Sequence, residues 1–421
     1  MSPLTAYRRL FALAGPRYVT VAFLGRLPLA MSQLGTLLLV AGSTGSYAAG
    51  GVSAGALAVA NAVGAPIAGS FADRVGQRPV VLVQSLAGAA GLIVLVALAD
   101  LDLTSPAQAA AAATTGLVMP QVGPLARVRW RPITAGAGRH QGRLVDAAFS
   151  YEGAADEASF VLGPALVGVA AAVVAPSAAL VAAAVVLAVF GSLFALHPSA
   201  ELTRLHSVAT VGGARLLTTA LVILGVAQLA VGMIFGSAQT ATAVLATDAG
   251  EPGLTGLLHA LLGVGSVVAG LCVATLPERF GYERRLQVFA AGLFVLAAPL
   301  LLVDSLGALA AVLMLLGVAV APYMITVFTL AERVTAAPRT GAAMTFLAGT
   351  TGIGYAVGSS VAGRLADGGG HQPAFGVTVA AGALAVLLAV AAAPRLRAEQ
   401  SSHGALRKEH QDSTTPERAA R

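Results

Sequence analysis

"GSFADRVGQRP" occupies Gly69 to Pro79. The stretches on either side of it, 47–71 and 79–99, hold no charged residue. An apolar run of ~20 residues is long enough to cross the ~30 Å hydrocarbon core of a bilayer as a helix. Between these two runs Asp73, Arg74 and Arg78 crowd around Gly76, so the link is a short charged turn that belongs in water. Two apolar helices joined by a wet turn make a membrane hairpin. A membrane barrel would alternate polar and apolar residues, and neither run does.

Working outward, the same unit recurs along the chain. Twelve spans are read, at 18–41, 47–71, 79–99, 106–126, 149–175, 177–197, 215–243, 253–276, 285–303, 306–331, 341–364 and 373–394. Composition agrees. The 421 residues are 57% hydrophobic and 10% charged, against about 25% charged in a soluble domain. The predicted fold class is an all-α membrane protein, with twelve transmembrane helices in two pseudo-symmetric six-helix bundles. The bundles are expected at 1–200 and 215–397, with a cytoplasmic linker at 201–214 and a disordered cytoplasmic tail at 398–421.

Orientation follows from the basic residues, which gather on the cytoplasmic side. Arg8, Arg9 and Arg17 precede the first span. Arg74 and Arg78 follow the second, Arg127, Arg129, Arg131, Arg139 and Arg143 the fourth, and Arg204 the sixth. Arg279, Arg284 and Arg285 follow the eighth, and Arg333 and Arg339 the tenth. All of these share one side, which places both termini in the cytoplasm and the protein in the cell membrane. The opposite loops carry Asp100, Asp102, Asp248, Glu251 and Asp304, with Arg364 the one base. The basic residues sit in short loops, so the net charge of +6 reflects topology and not nucleic-acid binding. No cleavable leader is expected, because the first apolar segment is long, contains Arg26 and lacks a small-residue cleavage site. The single cysteine, Cys272, excludes a disulfide framework and reads as a small core residue.

Three internal echoes organise the chain. "GSFADRVGQR" ending the second span matches "PERFGYERR" (Pro277 to Arg285) ending the eighth, with Gly76 over Gly281. "GSFAD" returns as "GRLAD" (Gly363 to Asp367), now at an outer end, as inverted repeats within each half require. "GPALVG" (Gly163 to Gly168) matches "GSSVAG" (Gly358 to Gly363). In that last register Glu152, Asp156 and Glu157 fall opposite Leu347, Thr351 and Gly352, so these acids belong to the first half alone.

The chain resembles the major facilitator superfamily. "GSFADRVGQRP" fits that family's signature Gly-x-x-x-Asp-Arg-x-Gly-(Arg/Lys)-(Arg/Lys), with Gln77 in place of the first basic residue. "VMPQVGPLARVRW" and the Gly163-Pro164 pair look like the drug-exporter-like bacterial branch. The glycine-rich antiport motif of the fifth span is partly present, with Ser150, Ser159 and Val167 where glycines are expected. The resemblance implies a monomeric alternating-access carrier with no cofactor and no metal. Spans one, four, seven and ten would line a cavity, and spans two, five, eight and eleven would join the halves. It further implies that Asp73 meets the start of the eleventh span and an arginine ending the fourth, Arg127 or Arg129. Arg74, Gly76 and Arg78, with Glu278 and Arg279 in the second copy, complete the expected latch. In the cavity spans, Gln33, Gln121, Phe235, Gln239, Tyr323 and Phe328 are the candidate substrate contacts. Few other charges lie there, which favours a neutral or amphipathic small organic solute.

Arg26 lies nine residues into the first span, roughly 14 Å deep at 1.5 Å per residue. An ionisable residue inside a membrane needs a partner and marks function. Glu152 and Asp156 are four residues apart and share a helix face. Asp156 and Glu157 lie near the inner edge of the hydrocarbon, where Arg26 can reach one of them. Competition between such a pair and a proton would couple transport to protons, and permanent structural pairing is the alternative. Glu152, one turn further in, reads as a gate charge near Arg127 or Arg129. His259 is a titratable residue without an evident partner. The expected function is proton-coupled efflux of a drug or metabolite. A solute importer or uniporter, or a non-transporting sensor, would share the fold. A nucleotide-driven pump is disfavoured, because the only lysine, Lys408, follows Arg407 in the tail and forms no phosphate loop. No HExxH or other enzymatic constellation occurs.

Overall fold

The computed structural model describes residues 3–44, 47–101, 104–207, 218–251, 254–277, 279–336 and 339–413. Among them there are helices and turns and no strand. The first half holds α1 (Pro3–Thr44), α2 (Tyr47–Val75), α3 (Gln77–Asp100), α4 (Ser105–Val118), α5 (Val122–Ile133), α6 (Gln141–Val173), α7 (Pro176–Val186) and α8 (Ser192–Leu196). A short α9 (Ser199–Ser207) follows it. The second half holds α10 (Thr219–Asp248), α11 (Thr255–Cys272), α12 (Tyr282–Ala297), α13 (Leu306–Val334), α14 (Thr340–Gly369) and α15 (His371–Ser413).

Ten of the helical stretches are long and apolar enough to cross a membrane. The other two spans fall short for local reasons. The fourth is split: α4 has only 14 residues, and α5 resumes after Met119–Gln121. The eleventh, α14, has 30 residues but many of them are Gly, Ser and Thr. The protein is a multi-pass membrane protein with six spans in each half.

Pro120 explains the break between α4 and α5. Proline has no N–H for the carbonyl four residues back and clashes with it. That carbonyl belongs to Gly116, and the Asn61 amide of α2 donates to it at 3.0 Å and to Met119 O at 3.0 Å. Gln121 then donates to Asn61 Oδ1 at 2.6 Å. The polar backbone freed by the break is thereby satisfied inside the bundle. The close approach needs Gly116, since a Cβ there would lie 2.0 Å from Leu57 O.

Helix α1 also bends. Its 42 residues would extend about 63 Å, twice the hydrocarbon core. Gly15, at φ 77° and ψ 152°, breaks it, and Pro3–Ala14 turns off the span. The Gly76 turn takes φ 93°, which an L side chain rarely adopts, whereas Gly281, its echo, sits at φ −57°. The two turns share letters but not backbone. Cys272, expected in the core, is exposed, because it ends α11 on the rim of the bundle. The tail expected to be disordered continues as helix in α15 to Ser413. Ala, Leu, Arg, Gln and Glu are good helix formers and extend a helix already nucleated in the bundle. Residues 414–421, and 208–217 of the expected linker, lie outside the described residues.

Candidate functional site: a buried charge cluster and the contacts that close one end

The cluster is built by three helices of the first half. Arg26 of α1 is 5% exposed. It donates from Nη2 to Glu152 Oε2 at 2.6 Å and from Nη1 to Asp156 Oδ1 at 2.9 Å. Its Nε donates to Ala22 O at 3.1 Å, so its orientation is fixed from its own helix. On α5, the Trp130 indole donates to Glu152 Oε1 at 2.6 Å. Arg127 Nη1 pairs with Asp156 Oδ2 at 2.8 Å. The Cα of Gly123 leaves room for Asp156, since a Cβ there would stand 2.5 Å from Oδ1. Two cations and two carboxylates thus balance in one buried set. Arg127 also reaches the second half, where its guanidinium lies over the Phe328 ring of α13, 4.3 Å from the centroid.

Glu157 stands outside this set. Successive residues on a helix point about 100° apart, so Asp156 and Glu157 face different neighbours. Asp146, Ser150, Gly153 and Glu157 repeat at the i, i+4, i+7, i+11 spacing of one stripe. That stripe faces the second half. Asp146 bonds Tyr282, Gly153 lies against Ile325, and Glu157 is directed at Ser266 of α11 without meeting hydrogen-bond geometry. Glu157 is 3% exposed and has no cation in ion-pair contact among the described residues. Of the two acids expected to reach Arg26, Asp156 pairs with it and Glu157 does not, and Glu152 is the second partner of Arg26. Glu152 likewise forms no ion pair with Arg127 or Arg129, because its two carboxylate oxygens are taken by Arg26 of α1 and by the Trp130 indole of α5.

The hydrogen bonds and ion pairs between described residues of the two halves lie at the arginine-rich end. Asp73 accepts from the backbone N–H of Gly341 at 3.0 Å and of Ala342 at 2.9 Å. These are free donors of the first turn of α14, whose dipole also favours an anion there. Gly69 lets α2 and α14 meet, since a Cβ would stand 2.2 Å from Thr345 Oγ1 and 2.9 Å from Gly341 O. Asp146 accepts from the Tyr282 hydroxyl at 2.7 Å. Arg333 donates to that hydroxyl at 2.7 Å and lies 3.4 Å from Asp146. Arg131 holds Glu332 with two bonds, Nε at 2.5 Å and Nη2 at 3.1 Å. Tyr7 donates to Leu271 O at 2.8 Å.

The Asp73 contact with the start of the eleventh span is as expected, but its arginine is not. Arg127 is held by Asp156, and Arg129 turns inward. Arg129 Nε donates to Gln77 Oε1 at 2.8 Å, its Nη1 donates to Phe194 O at 2.8 Å, and the guanidinium covers the Phe194 ring at 3.6 Å. Gln77, the departure from the family signature, is the neutral acceptor that a buried arginine at this place requires. Arg339, near the start of α14, supplies positive charge to Asp73 instead. Arg74 and Arg279 are exposed, and Arg78 makes a surface pair with Glu201 at 2.7 Å. Gly76 is buried in the turn, and Glu278 lies outside the described residues. Asp146, Tyr282, Arg333, Arg131 and Glu332 were not singled out from the sequence as a latch. The stripe linking Asp146 to Glu157 was the available signal.

The candidate substrate contacts divide. Gln33 is exposed, Phe235 and Gln239 are half-buried. Gln239 accepts from the Tyr355 hydroxyl, and Phe235 stands edge-on to His259. Gln121, Tyr323 and Phe328 are buried in packing: Gln121 at the helix break, Tyr323 donating to Ala227 O at 3.3 Å, Phe328 under Arg127. Among the described residues no group of His, Cys, Asp and Glu has the geometry to hold a metal.

The chain is similar in fold to solved transporters. The human organic anion transporter MFSD10 (TETRAN) superposes with TM-score 0.68 at 21% identity, over 89% of this chain and 100% of that one. A bacterial homologue of the iron transporter ferroportin, in an outward-facing state, gives 0.68 at 15% identity, over 89% and 98%. The major facilitator superfamily proton:xylose symporter XylE gives 0.64 at 15%, over 88% and 94%. This is the major facilitator fold. The family model described as Major Facilitator Superfamily matches residues 224–419, the second half. No curated protein matches the sequence.

Proposed function

We propose that this chain is a major facilitator superfamily carrier of the drug-exporter-like bacterial branch, exporting a small organic solute across the cell membrane by proton-coupled alternating access. The observation that carries this reading is the division of the α6 acids. Glu152 and Asp156 are locked to Arg26 and Arg127 within the first half, whereas Glu157 lies on the face where the halves meet. Sealing α6 against α11 removes the Glu157 carboxyl from water with no cation beside it. That transfer costs an ionised group several kcal/mol and a neutral one far less. A proton taken up before the interface seals and released after it parts ties proton movement to rocking of the halves.

In this reading the arginine-rich end is cytoplasmic and closed, so the molecule faces outward. The Asp73, Asp146 and Glu332 contacts must break for a cytoplasmic solute to enter. The polar groups left for substrate, Gln33, Gln239 and Tyr355, with Phe235 and His259 beside them, include no carboxylate or arginine. A neutral or amphipathic solute suits them better than an anion such as a sugar phosphate.

The test is efflux driven by a pH gradient in proteoliposomes, comparing E157Q with D156N. Loss of gradient dependence in E157Q, with solute exchange at equal pH retained, supports the reading. Unchanged coupling in both variants removes it.

A further inference from the structure

The segment Pro3–Ala14 is not needed to cross the membrane. Gly15 breaks the helix between it and the span, and it packs against Tyr151 of α6 and Leu271 of α11. One of its faces is anchored. Ala6 and Leu10 are buried, Phe11 stands edge-on to Tyr151 at 5.2 Å, and Tyr7 bonds Leu271 O of the second half. The other face is exposed. Leu4, Thr5, Arg8, Arg9, Ala12 and Leu13 are exposed and recur in adjacent pairs every four residues, which is one stripe along this segment, and Pro16 and Arg17, just past the Gly15 break, are exposed as well. Leu4 is 83% and Leu13 47% exposed, and Arg8, Arg9 and Arg17 form no ion pair among the described residues.

We infer that this stripe docks on the bilayer surface, with its Arg8 and Arg9, and Arg17 just past the break, binding the phosphates of anionic phospholipids. Charge complementarity selects this occupant. Two unpaired arginines, Arg8 and Arg9, stand between apolar side chains on one helix face, with Arg17 just past the Gly15 break, the pattern of a helix lying in the headgroup region. A basic residue at an anionic surface adds to binding, and several together give a preference that neutral lipid lacks. An acidic protein segment would match the arginines but would leave Leu4 and Leu13 in water. Because Tyr7 joins the same segment to Leu271, lipid held here bears on the end of the bundle that must open. The inference requires only that the chain spans a membrane, so it stands or falls separately from proton coupling.

The experiment uses the full chain with Cys272→Ser and Leu13→Cys, labelled with an environment-sensitive fluorophore and reconstituted in vesicles. Quenching is compared between brominated phosphatidylglycerol and brominated phosphatidylcholine at equal mole fraction. The expected result is roughly threefold or greater preference for the anionic lipid, lost in R8Q/R9Q/R17Q and kept in R8K/R9K/R17K. The lysine variant guards against a folding artefact, since it retains charge at the same positions. Equal quenching by both lipids, or a preference that survives the glutamine substitutions, overturns the inference. Absence of quenching by either lipid also overturns it and favours an acidic protein partner.

Discussion

Glu152→Gln should cost stability and Glu157→Gln should not, although the two acids are five residues apart on one helix. Glu152 is fully buried and accepts from both Arg26 and Trp130. Removing its charge leaves Arg26 and Arg127 facing Asp156 alone. Breaking one side of a buried ion pair costs about 3–5 kcal/mol, because the surviving charge stays out of water unpaired. A stability loss of 1 kcal/mol lowers the midpoint by roughly 2–4 °C in a unit of about 200 residues. The E152Q midpoint should therefore fall by roughly 6–20 °C by the same relation. Asp156, 18% exposed, is partly screened, and D156N should lose about half as much, near 2 kcal/mol. E157Q removes a buried acid that has no cation, and it should be neutral or stabilising. The assay is thermal unfolding followed by the fluorescence of Trp130, the only tryptophan, whose indole is bonded to the cluster. A double variant, D156N with Arg127→Gln, should recover part of the loss, since it removes both members of one pair. If E157Q loses as much as E152Q, Glu157 belongs to the balanced set, and the charge accounting above is wrong.

Two further outcomes follow from the packing. Gly69→Ala places a methyl into Thr345 and the backbone of Gly341, so α2 and α14 cannot close on each other. Transport should fall, and a cysteine reporter at the arginine-rich end should label faster than in the unsubstituted protein; unchanged labelling would mean the α2–α14 contact does not govern closure. Asn61→Leu removes the side-chain donor to the Gly116 and Met119 carbonyls and the acceptor of the Gln121 amide, leaving Gly116 O the Met119 N–H at 3.2 Å; a buried polar group left unsatisfied costs about 1–3 kcal/mol. Its thermal midpoint should drop by at least several degrees, whereas Gln33→Leu, on an exposed side chain, should leave it in place.

The elements most legible in the sequence were those fixed by local composition. Span positions followed from apolar runs, and the shared end of the bundle followed from the arginines. That Asp73 meets the start of the eleventh span was implied by the resemblance to the major facilitator signature and not by the residues alone. The apolar run of the fourth span is continuous to 126 despite Pro120, and nothing in one sequence shows that Asn61 stands ready to satisfy Gly116. Arg127 and Arg129 look alike in the sequence. They are two residues apart on one helix, so they point to nearly opposite sides, and only the neighbours of each side decide that one meets Asp156 and the other Gln77.

The sequence by itself determined that the chain crosses a membrane many times, that it repeats as two halves, and that Arg26 must find an acid. Those conclusions rest on hydrocarbon thickness and on the expense of an unpaired charge, which hold whatever the packing. Only the tertiary structure decided which acid that is. Asp156 and Glu157 are identical to any count of charge or depth, yet one turns toward α1 and the other toward α11. The 100° between them separates a permanent ion pair from a carboxyl at the moving interface, because the chemistry of a buried acid is set by what faces it.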